Sequence, residues 1–193
     1  MMYESLFNYI ADYSRSSITK DEEDLIKNAF RPKILRKNQY FLQDGDVSKY
    51  TGFITKGAMR QYYLNKKGDE VIVNLFIENY WATDRESFFN LKPSAYNIDA
   101  CEDTELLIIT RADLAELMKK IPALVEMIRV MDDRHAIAAQ KRLASTINNK
   151  AEDRYEELLR SNPQFIQRFP QHQIASYLGI TKETLSRLKK ARK

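Results

Sequence analysis

Near the end of the chain, in the string "TKETLSRLKKARK", Lys182, Glu183 and Arg187 lie on helical faces that Leu185 and Leu188 leave free. Lysine and arginine donate to the O6 and N7 edge of guanine, and a glutamate accepts from the cytosine amino group. Three such side chains on one side of a helix can therefore read base edges in a major groove. Thr184 and Lys190, with Gln173 one helix earlier, carry the donors that hold phosphate oxygens.

Chemistry of this kind needs two helices set at a steep angle, and "FPQHQIASYLGITKETLSRLKKARK" is patterned to supply them. Ile174, Leu178, Ile180, Leu185 and Leu188 give a shared apolar core, and Ala175 is small where the second helix must approach closely. Gly179 follows Leu178 where a left-handed residue ends a helix, and Thr181 offers a hydroxyl to cap the next one. The competing reading is an ordinary helical hairpin with a solvated basic face. Turn, cap, small residue and charge agree on a helix-turn-helix instead.

The charge is concentrated in the same place. A net charge of +4 is the resultant of +6 in residues 164–193, where seven basic residues meet only Glu183, and −2 in residues 1–163. Basicity confined to one tip points to a polyanionic partner there.

The rest of the composition excludes other classes. At 44% hydrophobic and 30% charged, the chain has the material for a core and too little bias for disorder. One cysteine and two histidines are too few for a zinc or iron–sulfur site within one chain, and Cys101 is expected to face the core. No Ser/His/Asp set, metal cluster or phosphate-cradling glycine loop stands out, so neither an enzyme nor a bound cofactor is expected. With no signal-like N-terminus and no apolar run of membrane-spanning length, the expected location is the cytoplasm, without a membrane partner.

Upstream of the basic tip, two short helices open the chain, with Thr19 as the N-cap of the second. From Ile34 to Ile109 short β-branched and aromatic runs alternate with turn strings, the pattern of an antiparallel meander or barrel, and "LNKKGDEV" is its clearest hairpin. "RADLAELMKKIP" reads as a helix stopped near Pro122, and a second helical pattern runs from Ala123 to about Asn148. Leu124, Ile128, Met131, His135, Ala138, Arg142 and Ser145 share one face of this long helix. That face either lies on its own β-domain or forms a parallel dimer seam, the arrangement a dimeric DNA-binding protein needs. "NNKAEDRYEELLRSNPQF" adds a short helix with a core side.

With the order of these parts, "FLQDGDVSKYTGFITKGAMRQYYLNKKGDE" and "QIASYLGITKETLSRLKK" resemble the Crp/Fnr superfamily of bacterial transcription regulators over essentially the whole chain. The resemblance implies an α+β fold. Residues 1–120 would form a cyclic-nucleotide-binding-type β-roll with flanking helices, 121–148 a long dimerisation helix, and 149–193 a small winged helix-turn-helix domain. Its partners would be duplex DNA and a second copy, with RNA polymerase and an unidentified small-molecule effector as further candidates. The family's Arg-Glu-Thr-x-x-x-Arg recognition string is matched by Lys182, Glu183 and Thr184, with Arg187 and Lys190 beyond. Lys182 brings a point charge where the family has an arginine fork. With the chain ending at Lys193, any wing has to come from "PQFIQRFP".

Members that bind cyclic AMP carry Gly-Glu-Leu for the ribose and Arg-Ser-Ala for the phosphate. The matching places here hold Ala82-Thr83-Asp84 and Pro93-Ser94-Ala95, with Lys92 as the nearest cation, so cyclic AMP is not expected to be the effector. Trp81, Phe88, Phe89 and Tyr96 either line an apolar cavity or belong to the core. Asp84, Arg85 and Glu86 are either a solvated loop or part of an effector region made of Trp81, Asp84, Arg85, Lys92 and Ser94. The rival function is a small-molecule sensor or adaptor whose basic tip contacts a protein or RNA, which would have no use for Gly179-Ile180-Thr181 between two amphipathic helices.

Overall fold

The computed structural model describes residues 2–191, so that Arg192 and Lys193 of the basic tip lie outside the described residues. By compactness the chain divides in two. One unit holds the chain up to Gln61 and Phe76–Arg134; the other holds Tyr62–Leu75 and the chain from His135 onward.

The first unit opens with α1 (Met2–Tyr13) and α2 (Lys20–Ala29). The Thr19 side chain accepts from the Glu22 backbone N–H, and the Glu22 carboxylate accepts from the Thr19 N–H, a reciprocal cap for two otherwise orphaned donors. Strands β1 (Arg31–Leu35), β2 (Tyr40–Leu42), β3 (Tyr50–Lys56), β4 (Met59–Leu64), β5 (Glu70–Phe76), β6 (Trp81–Ala82), β7 (Asn97–Ala100) and β8 (Thr104–Thr110) follow, with the short helix α3 (Arg85–Asn90) between β6 and β7. They form two four-stranded sheets, ordered β1-β8-β3-β6 and β2-β7-β4-β5.

Period-two alternation along β8 explains the two cores. Leu106 and Ile108 join Ile54, Met59 and Ile98 in one cluster, while Leu107 and Ile109 join Phe53 and the helices in the other. Both faces of that strand are covered, so its run reads as continuously apolar rather than alternating. Gly57, at φ +107°, ends β3 where a Cβ would stand 2.6 Å from the Thr104 Cα, so only glycine fits. The helical cluster is completed by Leu6 and Ile10 of α1, Leu114 and Leu117 of α4 (Arg111–Lys120), and Leu124, Met127 and Met131 of α5 (Pro122–Asn148). Pro122 opens α5 at a position where its missing N–H costs nothing.

Two expectations change here. Leu124 and Met131 are buried in their own unit's core with Ile128 packed against it, so the first half of the proposed seam face is already occupied. The large apolar side chains that α5 leaves exposed are Val125, Ile137, Leu143 and Ile147. Val125, Ala136, Leu143 and Ile147 share a face with Asp132, recurring at steps of four and seven, and that face points away from the Leu124–Met131 side. The charged string at Asp84–Glu86 is likewise no solvated loop. Asp84 is buried and caps α3, its carboxylate accepting from the Glu86 N–H at 3.2 Å.

In the second unit, α6 (Ala151–Ser161), α7 (Pro163–Arg168), α8 (Gln171–Leu178) and α9 (Lys182–Ala191) close around Tyr155, Leu158, Phe165, Ile174, Leu178 and Leu185. The segment "PQFIQRFP" expected to supply a wing is helix α7 instead, because Pro163 starts a helical turn and Phe165 and Phe169, 5.5 Å apart edge to face, both serve the core. Among the described residues this terminal domain is entirely helical. The β4–β5 hairpin belongs to this unit through three contacts. The Ser176 hydroxyl accepts from the Ile72 N–H at 2.9 Å and donates to the Glu70 carbonyl at 3.1 Å, and Arg142 donates to the Val73 carbonyl at 2.5 Å while lying over the Tyr177 ring. β5 is the outer strand of its sheet, so these side chains satisfy backbone groups that a further strand would otherwise pair.

Candidate nucleic-acid interface and effector region

The turn between α8 and α9 has the geometry its residues demand. Gly179 sits at φ 65°, ψ 37°, and the Ile180 N–H returns to the Ala175 carbonyl at 3.0 Å, closing α8 in a Schellman-type end. A Cβ at Gly179 would meet nothing within 4 Å, so the backbone conformation alone favours glycine there. Two residues later the Thr181 hydroxyl accepts from the Thr184 N–H at 3.2 Å and starts α9. Leu185 is buried against the side of α8 that carries Ile174, Ala175 and Leu178, which fixes how α9 is rotated.

That rotation leaves Lys182, Glu183, Arg187 and Lys190 exposed on α9, with Thr184 and Ser186 half-buried between them. The Glu183 carboxyl is held below its ordinary range, first by its own backbone N–H and then by the Thr181 hydroxyl, with Lys182 and Arg187 nearby. It is an ionised acceptor in the first turn, where the helix dipole favours negative charge. Arg187 reaches the Thr184 hydroxyl at 3.4 Å and keeps most of its guanidinium fork for an external acceptor. Gln173 departs from the expected set: it is buried in α8, so its amide is not offered at the surface with the others.

In the β-roll, the two segments that would meet a cyclic nucleotide are bonded to each other. The Ser94 hydroxyl donates to the Asp84 carboxylate at 2.7 Å, and both residues are buried. Ser94 also donates its N–H to the Asp46 carbonyl and accepts the Gly45 N–H at its own carbonyl, each at 2.8 Å. Ser87 of α3 completes the web, accepting from the Ser48 N–H and donating to the Lys92 carbonyl. Asp84 and Ser94, read as effector contacts, therefore spend their hydrogen bonds inside the protein. Trp81 is core, its ring 5.3 Å from Phe53 and 6.1 Å from Phe30, and Phe88 is buried beside it. Arg85 is engaged with Asp132 of α5 at 2.8 Å, and only Lys92, 3.6 Å from Glu86, stays largely in solvent.

Sequence reasoning missed the residues that join elements distant in the chain. Ser176 gave no signal, and Arg142, read as part of the seam face, serves the hairpin instead, because the partners of both are backbone groups about 70 to 100 residues earlier. The paired Arg60 and Asp99 on β4 and β7, in contact at 2.8 Å and 3.0 Å with little exposure, could have been sought as opposite charges in strand runs, but their register was not readable. Cys101 lies partly buried, and burial together with the Asp99 charge pushes its thiol up to about 12.

Comparison with known proteins agrees with this architecture. Residues 32–121 match the cyclic nucleotide-binding domain family. The chain is 28% identical over 180 residues to electron transport regulator A of Shewanella oneidensis, an alignment that covers 86% of this chain and 69% of that protein. It is 30% identical over 101 residues to the transcriptional regulatory protein btr of Bordetella pertussis, covering 46% and 41% of the two chains. The solved structure of FixK2 from Bradyrhizobium japonicum superposes with a TM-score of 0.70 at 17% identity, covering 84% of this chain and 83% of that one. A β-roll of the cyclic-nucleotide-binding type joined to a helical helix-turn-helix domain defines a class of DNA-binding regulators. In sequence and in fold the chain is similar to transcription regulators of the Crp/Fnr type.

Proposed function

We propose that the chain acts as a homodimer that reads an inverted-repeat operator. In this reading Lys182, Glu183 and Arg187 contact base edges, and Thr184 and Lys190 contact phosphate. The observation that carries it is the outward set of α9, three cations around one ionised carboxylate, on a helix whose rotation is fixed by the buried Leu185. Pairing would use the outward side of α5, where Leu143 and Ile147 are 63% and 71% exposed. The effector, if the β-roll takes one, is not cyclic AMP: the phosphate place has no arginine, and its serine is committed to Asp84. Activation at a promoter would add a contact with RNA polymerase, which transcription in vitro from a bound operator would register.

Arg187→Ala is the test. It should cost about 1–3 kcal/mol of affinity for a selected operator and relax the base preference at one position per half-site. Equal affinity of the two proteins for that operator would remove α9 from the role of reading helix.

A further inference from the structure

Ser176 lies in the last turn of α8, and its hydroxyl is engaged with a strand rather than with its own helix. It accepts from the Ile72 N–H at 2.9 Å and donates to the Glu70 carbonyl at 3.1 Å. Those two groups, on either side of Val71, are the pair that one residue of a neighbouring parallel strand would take. A single hydroxyl therefore stands in for a strand residue and seats α8 on β5. The next residue reinforces the seat. The Tyr177 ring centre lies 5.0 Å from the Arg142 guanidinium, which donates to the Val73 carbonyl, and 6.1 Å from the Phe165 ring of α7. Hairpin and helices all belong to the same compact unit.

The β4–β5 hairpin is a firm base for such a seat. Its turn is pinned by Asn65, whose side-chain oxygen accepts from the Lys67 and Asp69 N–H groups at 2.8 and 3.0 Å, and Tyr62 and Ile72 are buried on its two strands. Its charges do not single it out as a phosphate contact: Lys66 and Lys67 at the tip are followed by Asp69 and Glu70, so they bring no net positive charge. What the hairpin can supply is orientation. Ser176 lies across α8 from the side that carries Ile174 and Leu178, so the seat leaves the packing of α8 on α9 undisturbed. Lys182, Glu183, Arg187 and Lys190 stay exposed with the hairpin in place. Because the Gly179 turn and the buried Leu185 join α9 to α8, fixing one helix fixes the other.

We infer that the β4–β5 hairpin is a brace for the reading helices, with Ser176 as a positioning residue for DNA binding; this rests on α9 being the reading helix, as proposed above. DNA binds best to the seated arrangement, so seating and operator binding favour each other by the same factor. Release of α8 from β5 leaves α9 chemically complete but free to take orientations that do not fit a groove. Affinity then falls at every sequence alike. No phosphate contact is lost, so the salt dependence of binding stays as it was.

Operator affinity of the full chain over a range of salt tests this, with Ser176→Ala, Ser176→Thr and Arg187→Ala beside wild type. Ser176→Ala should bind a selected operator roughly three- to tenfold more weakly, the fold-change that one hydrogen bond carries, with the salt slope and the base preference unchanged. Ser176→Thr, which keeps the hydroxyl, should restore affinity. In wild type, saturating operator should slow exchange at the Ile72 amide several-fold. Wild-type affinity in Ser176→Ala, or Ile72 exchange indifferent to operator, would show that seat and reading are uncoupled and overturn the inference. Tighter binding by Ser176→Ala would overturn it too, making the hairpin a restraint instead of a brace. Arg187→Ala separates the two readings: if it weakens binding, α9 remains the reading helix whatever Ser176 does, and if it binds as wild type does, both readings fall.

Discussion

Replacing Ser176 by alanine should loosen the β4–β5 hairpin in a way that can be read at a single amide. The Ser176 hydroxyl is the acceptor for the Ile72 N–H at 2.9 Å and the donor to the Glu70 carbonyl at 3.1 Å, on the outer strand of its sheet. Alanine leaves both backbone groups without that partner. The Ile72 contact is partly buried and the Glu70 contact is exposed, so water recovers the second almost fully and the first only in part. A net hydrogen bond is worth about 0.5–1.5 kcal/mol, and stranding a half-buried donor lies toward the upper end, giving about 1–1.5 kcal/mol for the variant. Expressed as a local opening equilibrium, that is a roughly tenfold faster hydrogen exchange at the Ile72 amide. Amide exchange resolved by residue should show the acceleration at Ile72 and little change in the α1 and α2 amides. Ser176→Thr, which keeps the hydroxyl, should restore protection. Unchanged exchange at Ile72 in Ser176→Ala would show that the strand edge does not depend on this side chain.

Two glycines with left-handed backbones should respond differently to alanine. At Gly57 the added Cβ would overlap the Thr104 backbone, so Gly57→Ala should destabilise the chain by about 3 kcal/mol or more in urea unfolding, whereas Gly179→Ala, with open space around it, should cost only about 1 kcal/mol. A similar loss at both sites would contradict the steric account of Gly57. With its thiol raised to about 12, Cys101 should react with iodoacetamide at pH 8.5 at least a hundredfold more slowly in the native protein than after unfolding. Because the folded value lies above the unfolded one of 9.0, this group's contribution to stability is complete at pH well below 9.0 and is lost as the pH rises toward about 12. Rapid native alkylation at neutral pH would refute that environment.

Elements governed by local chemistry were readable from sequence. The Thr19 cap, the Asn65–Gly68 turn and the Gly179–Thr181 break each depend on side chains within a few residues of the backbone they satisfy, and the structure places all three as expected. The orientation of α5 was not readable, because one stretch of helix carries two apolar faces. Only the tertiary packing of Leu124 and Met131 reveals that theirs is the inner one. That "PQFIQRFP" is helical rather than a wing has a comparable cause: it contains two prolines, which suggest irregular chain, yet one of them sits where a helix begins. At the effector region, the residue types at Asp84 and Ser94 were noticed, but their mutual hydrogen bond, which turns two candidate contacts into one internal brace, depends on a fold that brings residues ten apart face to face.

Selection of bound sites from random duplex DNA, followed by sedimentation of the complex on the enriched sequence, tests the central claim most directly. The account predicts an inverted repeat whose half-site centres are about 10–10.5 base pairs apart, bound by two chains with an affinity that falls steeply as salt is raised. Enrichment of no sequence at all, or a single half-site holding one chain at micromolar protein, would contradict it.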